Sequence, residues 1–359
     1  MGREESRFEQ LLKMLPEGWE AKAKELGAFR RARGIKTPAG LLRLILLYLT
    51  EGKSFAGTRA LLQLSHEAEI CKTAVFKRIQ NSGEWLRWIC ENIYRRAGLL
   101  IEKPQWLKDR EVLLIDGSED SGKDQRYYRL HYSMELFTLS AREFLITEES
   151  CGEKLTNFKA LGKNDIAIAD RAYGTLPSIA HLREHHADYI LRLRAGAFRI
   201  NDEKGNKIEV AQEFSKLMSW KYGEITGWCD IKGEKVPLRI CAVRKDVFTE
   251  WKGMQRLKKE KGCKRGGKPV SAVQQEYNKY IIVATSLGKE VSTEQVLSLY
   301  RARWQIELAF KRLKSLFAYN QMPARKSENI TTWLYGKLLL AALCETLVNT
   351  GRFSPSGDT

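Results

Sequence analysis

Cysteine is scarce and poorly spaced for chemistry. The chain has seven cysteines and no C-x-x-C pair, and the two nearest in sequence are Cys229 and Cys241. That spacing argues against a zinc site or a disulfide framework and suits a reducing compartment. Long apolar runs are also missing. The two longest, 41–49 and 338–348, each contain a charge, Arg43 and Glu345. Both fall well short of the roughly 20 residues that cross a bilayer, so they are expected to be buried helices. No secretory apolar core follows the charged start "MGREESRFEQ", and a soluble, cytoplasmic protein is expected. Acidic residues are outnumbered, 44 against 61 Lys and Arg, leaving a net charge of +17. An excess of that size makes nucleic acid the first partner to consider.

The first hundred residues read as helical. Thr37 and Pro38 form a cap and an N1 proline that open a helix near 38–50, and Gly52 breaks it. A second short helix follows over 54–64 with Ser54 as its cap, and a third over 72–82 exposes Lys72, Lys77 and Arg78. Three such helices suit a helix-turn-helix-like DNA-binding module. From residue 111 the pattern changes. "EVLLID" reads as a short buried strand ending on Asp116, and "NDIAIAD" as another ending on Asp170. Residues 127–138 and 142–149 are expected to be neighbouring strands, 176–186 a helix and 188–194 a further strand. Strands alternating with helices indicate an α/β class with a covered sheet. Over 196–285 the helical pattern gives way to strand-like segments around a basic run, 251–269, read as a mobile loop. A long helix is expected from Ser292, and another over 327–349.

The chemistry concentrates in "YRARWQIELAFKRLKS", residues 300–315. Wound as one helix at about 100° per residue, Tyr300, Arg303, Glu307, Lys311 and Lys314 fall within an arc of roughly 80°. Ligand sites in α/β sheets lie at the carboxyl ends of strands, so Asp116 and Asp170 are placed to meet Glu307. Three such acids can hold two hard divalent cations about 3.5–4 Å apart, an arrangement suited to phosphodiester cleavage. Tyr300 and Arg303 would hold flanking phosphates, and Lys311 and Lys314 would follow the strand. Asp109, Glu119, Asp120 and Asp124 compete with Asp116 for its role; Asp116 is preferred because an apolar strand fixes it. "HLREH" (181–185) fits a zinc-protease pattern, but no third ligand is evident in the sequence.

With the spacing Y-x2-R-x3-E-x6-K following two strand-terminal aspartates, the chain resembles the DDE transposases of bacterial insertion sequences. The likeness is to the Y-R-E-K-signature group, the insertion sequence four family, and covers about 105–320. The resemblance implies a ribonuclease H-like catalytic core interrupted by a β-rich insertion between the second Asp and the Glu. The expected divisions are a helical DNA-binding domain at 1–104, the core at 105–195 and 286–320, the insertion at 196–285, and a C-terminal helix and tail at 321–359. It implies cleavage at transposon ends and joining of the freed 3′-OH to target DNA. Asp116, Asp170 and Glu307 would act with two Mg²⁺ ions, for which Mn²⁺ substitutes. Tyr300, Arg303 and Lys314 match the signature, and Trp304 sits as a tryptophan does in relatives that form a DNA hairpin. Arg192 and Arg194 resemble phosphate contacts. Hairpin formation also needs an aromatic residue in the insertion, and Trp220, Trp228 and Trp251 are candidates. The implied partner is double-stranded DNA, at ends and target, bound by a homodimer in the nucleoid of a bacterial cytoplasm. The short stretch after the signature is expected to leave out a large C-terminal dimerisation domain. A catalytically silent DNA-binding relative and a general nuclease on the same fold are the competing readings.

Overall fold

The computed structural model describes residues 7–52, 54–65, 68–94, 102–122, 126–148, 151–262, 269–322 and 326–349. Its strands are β1 (Glu111–Ser121), β2 (Tyr127–Glu135), β3 (Ala141–Glu148), β4 (Asp165–Ala169), β5 (Asp188–Arg192), β6 (Tyr222–Ile231), β7 (Glu234–Arg244) and β8 (Tyr280–Thr285). The helices preceding β1 are α1 (Arg7–Leu12), α2 (Trp19–Glu25), α3 (Pro38–Leu47), α4 (Phe55–Leu64), α5 (Lys72–Gln80) and α6 (Gly83–Tyr94). Later come α7 (Leu176–Glu184), α8 (Val210–Glu213), α9 (Val247–Gly262), α10 (Ala272–Asn278), α11 (Thr293–Ala302), α12 (Trp304–Ser315) and α13 (Ser327–Asn349). Strand order is β3-β2-β1-β4-β5-β8-β7-β6. This mixed α/β sheet with its helices is consistent with the expected ribonuclease H-like fold. Among the described residues no helix is long and apolar enough to cross a membrane.

The chain forms two compact units. The first comprises Met1–Glu102, Gly117–Gly152 and Glu307–Thr359; the second comprises Lys103–Asp116 and Glu153–Ile306. These units cut across the expected divisions, because β1 and α12 each contribute to both and α13 joins the N-terminal helices.

In the first unit the caps fall where the sequence put them. Thr37 Oγ1 accepts from Gly40 N at 3.0 Å, with Pro38 at N1, and Ser54 Oγ accepts from Gly57 N at 3.0 Å. α3 stops at Leu47 and passes into a π-helical turn, Tyr48–Gly52. Aromatic contacts tie the helices together. Tyr48 stacks on Phe55 and meets Trp333 edge-on, while Phe144 lies between Tyr94 and Tyr335. α13 buries Ile330, Trp333, Leu334, Leu338, Leu339 and Leu343, the pattern of a helix enclosed on most sides. Arg78 is not the exposed cation expected: its guanidinium donates to the Arg31 and Arg33 carbonyls. Lys72 and Lys77 are exposed.

In the second unit β1 pairs in parallel with β4 through Ile115↔Ala169, and β4 pairs in parallel with β5. β8 and β7 follow antiparallel, and β6 closes the series. The expected loss of helical pattern over 196–285 needs correction: beside its strands the segment contains α8, α9 and α10. The basic run begins as helix rather than loop, since α9 extends to Gly262; residues 263–268 lie outside the described residues. The cause is local. Lys, Arg, Gln, Glu, Met and Leu all favour helix. α9 also has an inward edge, Gly253, where an added Cβ would lie 2.3 Å from Asn278 Oδ1.

Arg239 of β7 organises the approach to the signature. Its guanidinium donates to Glu224 Oε2 at 2.6 Å and to the Gly288 and Val291 carbonyls at 2.7 and 2.6 Å. Glu224 in turn accepts from Thr293 Oγ1 at 2.5 Å, which fixes the start of α11. Ser292 and Gln295 cap that helix with a reciprocal capping box.

Candidate active site

Asp116 and Asp170 follow paired residues of adjacent parallel strands. Such strands run about 4.8 Å apart, so the two residues leave the paired segment at the same level on adjacent strands. Asp170 leaves β4 as the strand stops. Its Oδ1 accepts from Ala172 N at 2.7 Å and its carbonyl from Tyr173 N at 3.2 Å, closing a tight turn. That turn is pressed onto β5: an added Cβ at Gly174 would meet the Arg192 carbonyl at 2.2 Å, so only glycine fits. Asp116 differs from expectation, because β1 does not end there but runs on to Ser121. What ends at Ile115 is the pairing with β4.

The signature segment is not one straight helix. α11 ends at Ala302 and α12 starts at Trp304, with Arg303 at the joint. There the amides of Arg303 and Ile306 donate three residues back, to Tyr300 and Arg303 carbonyls, at 3.1 Å each. Tyr300, before this local tightening, lies on the buried face of α11 with Val296, Leu297 and Leu299: it is 6% exposed, and its hydroxyl has no hydrogen-bond partner. Arg303 Nη1 donates to Asp116 Oδ2 at 3.2 Å. Tyr300, Arg303 and Trp304 share a cavity of about 260 Å³ with Arg192 and Trp220. Among the insertion tryptophans, Trp220 alone lines that cavity. It is 50% exposed and carries a left-handed φ of 61°. Trp228 donates its indole N–H to Asp202 O at 2.6 Å, and Trp251 stacks with Phe248 on α9.

A second cavity, of about 490 Å³, opens beside Asp170. Arg171, Arg192, Arg194 and Lys245 line it, so Arg192 belongs to both cavities. Lys245 is buried and donates to Asn278 O at 2.7 Å. Burial, then the neighbouring Arg192 and Arg171 charges, push its pKa down to about 8. Neither Lys245 nor Arg171 was singled out from sequence. Lys245 directly follows Arg244, the last residue of β7, and a pair of cations there reads as a solvent-facing strand terminus.

In the first unit, Glu307 and Lys311 are exposed on α12, and Lys314 Nζ lies 3.0 Å from Asp120 Oδ2. Burial raises the Asp120 pKa and Lys314 opposes that shift. Two competitors for the role of Asp116 are thus held elsewhere, Asp120 by Lys314 and Glu119 by Arg129. Asp109 is exposed, and Asp124 lies outside the described residues. In the zinc-like pattern, His181 Nε2 lies 3.0 Å from Phe158 O and His185 Nδ1 2.9 Å from His181 O, so backbone groups engage both rings.

The donor chemistry of Asp116 and Asp170 suits a hard cation such as Mg²⁺, and the Arg303 guanidinium already places positive charge on Asp116. Among the described residues, however, no group of three or more His, Cys, Asp or Glu side chains is gathered to hold a metal ion. The expected third carboxylate, Glu307, begins the share of α12 that belongs to the other unit.

Residues 108–343 match the sequence profile of the transposase DDE domain. The chain belongs to the DDE transposase family. It is 32% identical over 343 residues to the putative transposase InsL of insertion sequence element IS186A from Escherichia coli K12, covering 93% of this chain and 91% of that protein. The transposase of IS421 from Escherichia coli is also 32% identical, over 344 residues, with the same coverage of each chain. The transposase of IS1151 from Clostridium perfringens is 26% identical over 202 residues, covering 52% of this chain and 43% of that one.

Proposed function

We propose that this transposase cuts DNA at the ends of its own insertion sequence and joins the freed 3′-OH to target DNA. Asp116, Asp170 and Glu307 serve as ligands for two Mg²⁺ ions. The observation that supports this reading is the register Ile115↔Ala169, which makes Asp116 and Asp170 the next residues along two adjacent parallel strands. A second observation supports Glu307 as the third ligand. Arg303, bound to Asp116, stands four residues before Glu307, one helical turn along the chain.

Bound Mg²⁺ would activate the attacking oxygen and neutralise charge on the leaving one. In the first reaction a water oxygen bonds to phosphorus, the P–O3′ bond breaks, and the water's proton ends on the 3′ oxygen. In the second, that 3′-OH oxygen bonds to a target phosphorus and a target 3′ oxygen leaves with the proton. Arg303 holds Asp116 in place and offers a planar donor set to a phosphate. Arg192 and Arg194 grip the strand beside Asp170, and Lys311 and Lys314 extend the track along α12. Tyr300, Trp304 and Trp220 enclose a cavity fit for an unstacked base. The N-terminal helices α3 to α5, with Lys72 and Lys77 outward, bind duplex DNA, and two copies of the chain pair two ends.

The test is nicking of a duplex carrying the sequence that flanks the gene, with Mg²⁺ present. Wild type is expected to nick at the element boundary and Asp170→Ala to lose that activity. Unchanged nicking by Asp170→Ala overturns the assignment. One observation favours a second reading, a DNA-binding relative that does not cut: no trio of ligands is gathered among the described residues. End binding in EDTA with no product under Mg²⁺ or Mn²⁺ would select it, while cleavage indifferent to end sequence would mark a general nuclease.

A further inference from the structure

The cavity beside Asp170 gathers more positive charge than the fold needs. Arg171 and Arg194 are exposed, Arg192 is half-buried and Lys245 is 8% exposed. Among the described residues none of the four forms an ion pair with an acid. Lys245 meets a single backbone carbonyl, that of Asn278, which satisfies a donor without neutralising the charge. The acids nearest in the structure do not settle the account: Asp170 lines the cavity without an ion pair to any of the four, Glu260 lines it and is exposed, and Glu250 acts on Lys245 more weakly than Arg192 and Arg171 do. Burying an ammonium among like charges is costly. Elsewhere in the same unit buried cations are matched, as Arg239 is by Glu224. A cluster left unmatched around an open cavity of about 490 Å³ is organised for an anion that arrives from outside.

We propose that this cavity is a binding site for one DNA phosphate adjacent to the bond being cut, with Lys245 as its buried positioning cation and Arg171 as its partner at the mouth. The inference rests on the DNA-cutting reading and adds two residues to it. Position fixes the choice of phosphate. Asp170 lies on the wall, so a phosphodiester bound to the cations sets the neighbouring linkage against the aspartate pair. Arg192, shared with the Arg303 and Trp304 cavity, then contacts the strand between the two. Lys245 does not touch the reacting atoms; it determines which linkage reaches them.

The test is metal-free binding of the flanking-sequence duplex, scanned with single neutral methylphosphonate linkages. Wild type should show one linkage next to the cleavage position whose neutralisation weakens binding about ten- to a hundredfold, the range for a hydrogen bond to a charged group. Lys245→Met should weaken binding of the unmodified duplex by a similar factor, and neutralising that linkage should then cost nothing more. Its salt slope should fall by about 0.9, as for one phosphate contact. Lys245→Arg should restore most of the coupling. Inorganic pyrophosphate should raise the melting temperature of wild type and not of Lys245→Met. Arg171→Gln, exposed and outside the core, gives the same readouts if the buried variant does not fold. Unchanged affinity in Lys245→Met and Arg171→Gln, or a linkage penalty that persists in both, overturns the site. Because these measurements need no cleavage, they stand apart from the Asp170→Ala result that decides the activity.

Discussion

Two basic regions of this transposase treat their cations in opposite ways. Along β1 to β3 and α12, in the first unit, three positive side chains have acidic partners: Lys314 with Asp120, Arg129 with Glu119 and Arg126 with Glu148. Around Asp170, in the second unit, Arg171, Arg192, Arg194 and Lys245 line a cavity with no such partner among the described residues. Paired surface charges contribute little net energy and mostly fix geometry. Unpaired clusters around a cavity create a field that a polyanion can answer. A net charge of +17 is thus not spread evenly in effect, and position within the fold decides which cations can receive DNA.

The comparison can be broken or sharpened by mutation. The largest effect is expected at Glu307. Glu307→Gln should reduce end nicking about a thousandfold or more, as removal of an essential catalytic group does, while metal-free DNA binding stays within about threefold. An exposed helical glutamate with only an ion-pair role would leave single-turnover nicking near wild type. Next is Arg303→Ala, which takes the cation from Asp116. Cleavage should fall about a hundredfold, the order of losing one preorganised charged donor. Titration of the end duplex should show weaker binding as well.

The third test sets the two regions against each other. Arg194→Gln should lower DNA affinity about tenfold and reduce the salt slope by about one. Lys314→Gln should lower affinity less, because Asp120 already occupies that ammonium. Asp120→Asn, by releasing Lys314, should tighten binding. If Lys314→Gln is the more damaging of the two, pairing does not govern which cations meet DNA.

The smallest effect concerns stability. Burial, opposed by Arg312, pushes the Glu345 carboxyl up to about 7. Cys90, Tyr94 and Tyr132 share its surroundings through their mutual charge effects. The folded chain therefore holds a proton that the unfolded chain releases between about pH 4.5 and 7, and stability is lost as pH rises through that window. Glu345→Gln should match wild type near pH 4.5 and exceed it by about 1–2 kcal/mol at pH 8, read from denaturant unfolding at both values. Equal stability at pH 8 would show that Arg312 neutralises the carboxylate fully.

Much of the fold could be read where local chemistry was sufficient. Thr37 with Pro38, Ser54, and the 327–349 helix are set by caps and apolar periodicity, and the structure reproduces them. β4 and the Asp170 that follows it are equally legible, because four apolar residues leading to a carboxylate have few alternatives. β1 was cut short in the reading because Gly117–Ser121 is polar and looks like loop, whereas the structure continues it as strand. The basic run was read as a loop for its charge, although its residues are good helix formers. The break at Arg303 is invisible to a helical wheel, which assumes a straight axis; Arg303 stands at that joint and donates to Asp116.

The sequence alone determined the residue types of the site, the two apolar strands that carry its aspartates and the excess of positive charge, since each depends on composition or short-range periodicity. Tertiary structure decided that Asp116 and Asp170 are neighbours, that Lys245 belongs with Arg171 and Arg192, and that Lys314 is engaged by Asp120. Those pairings depend on strand register and on contacts between distant residues. A one-dimensional pattern does not encode which charges will be left facing one another once the chain has folded.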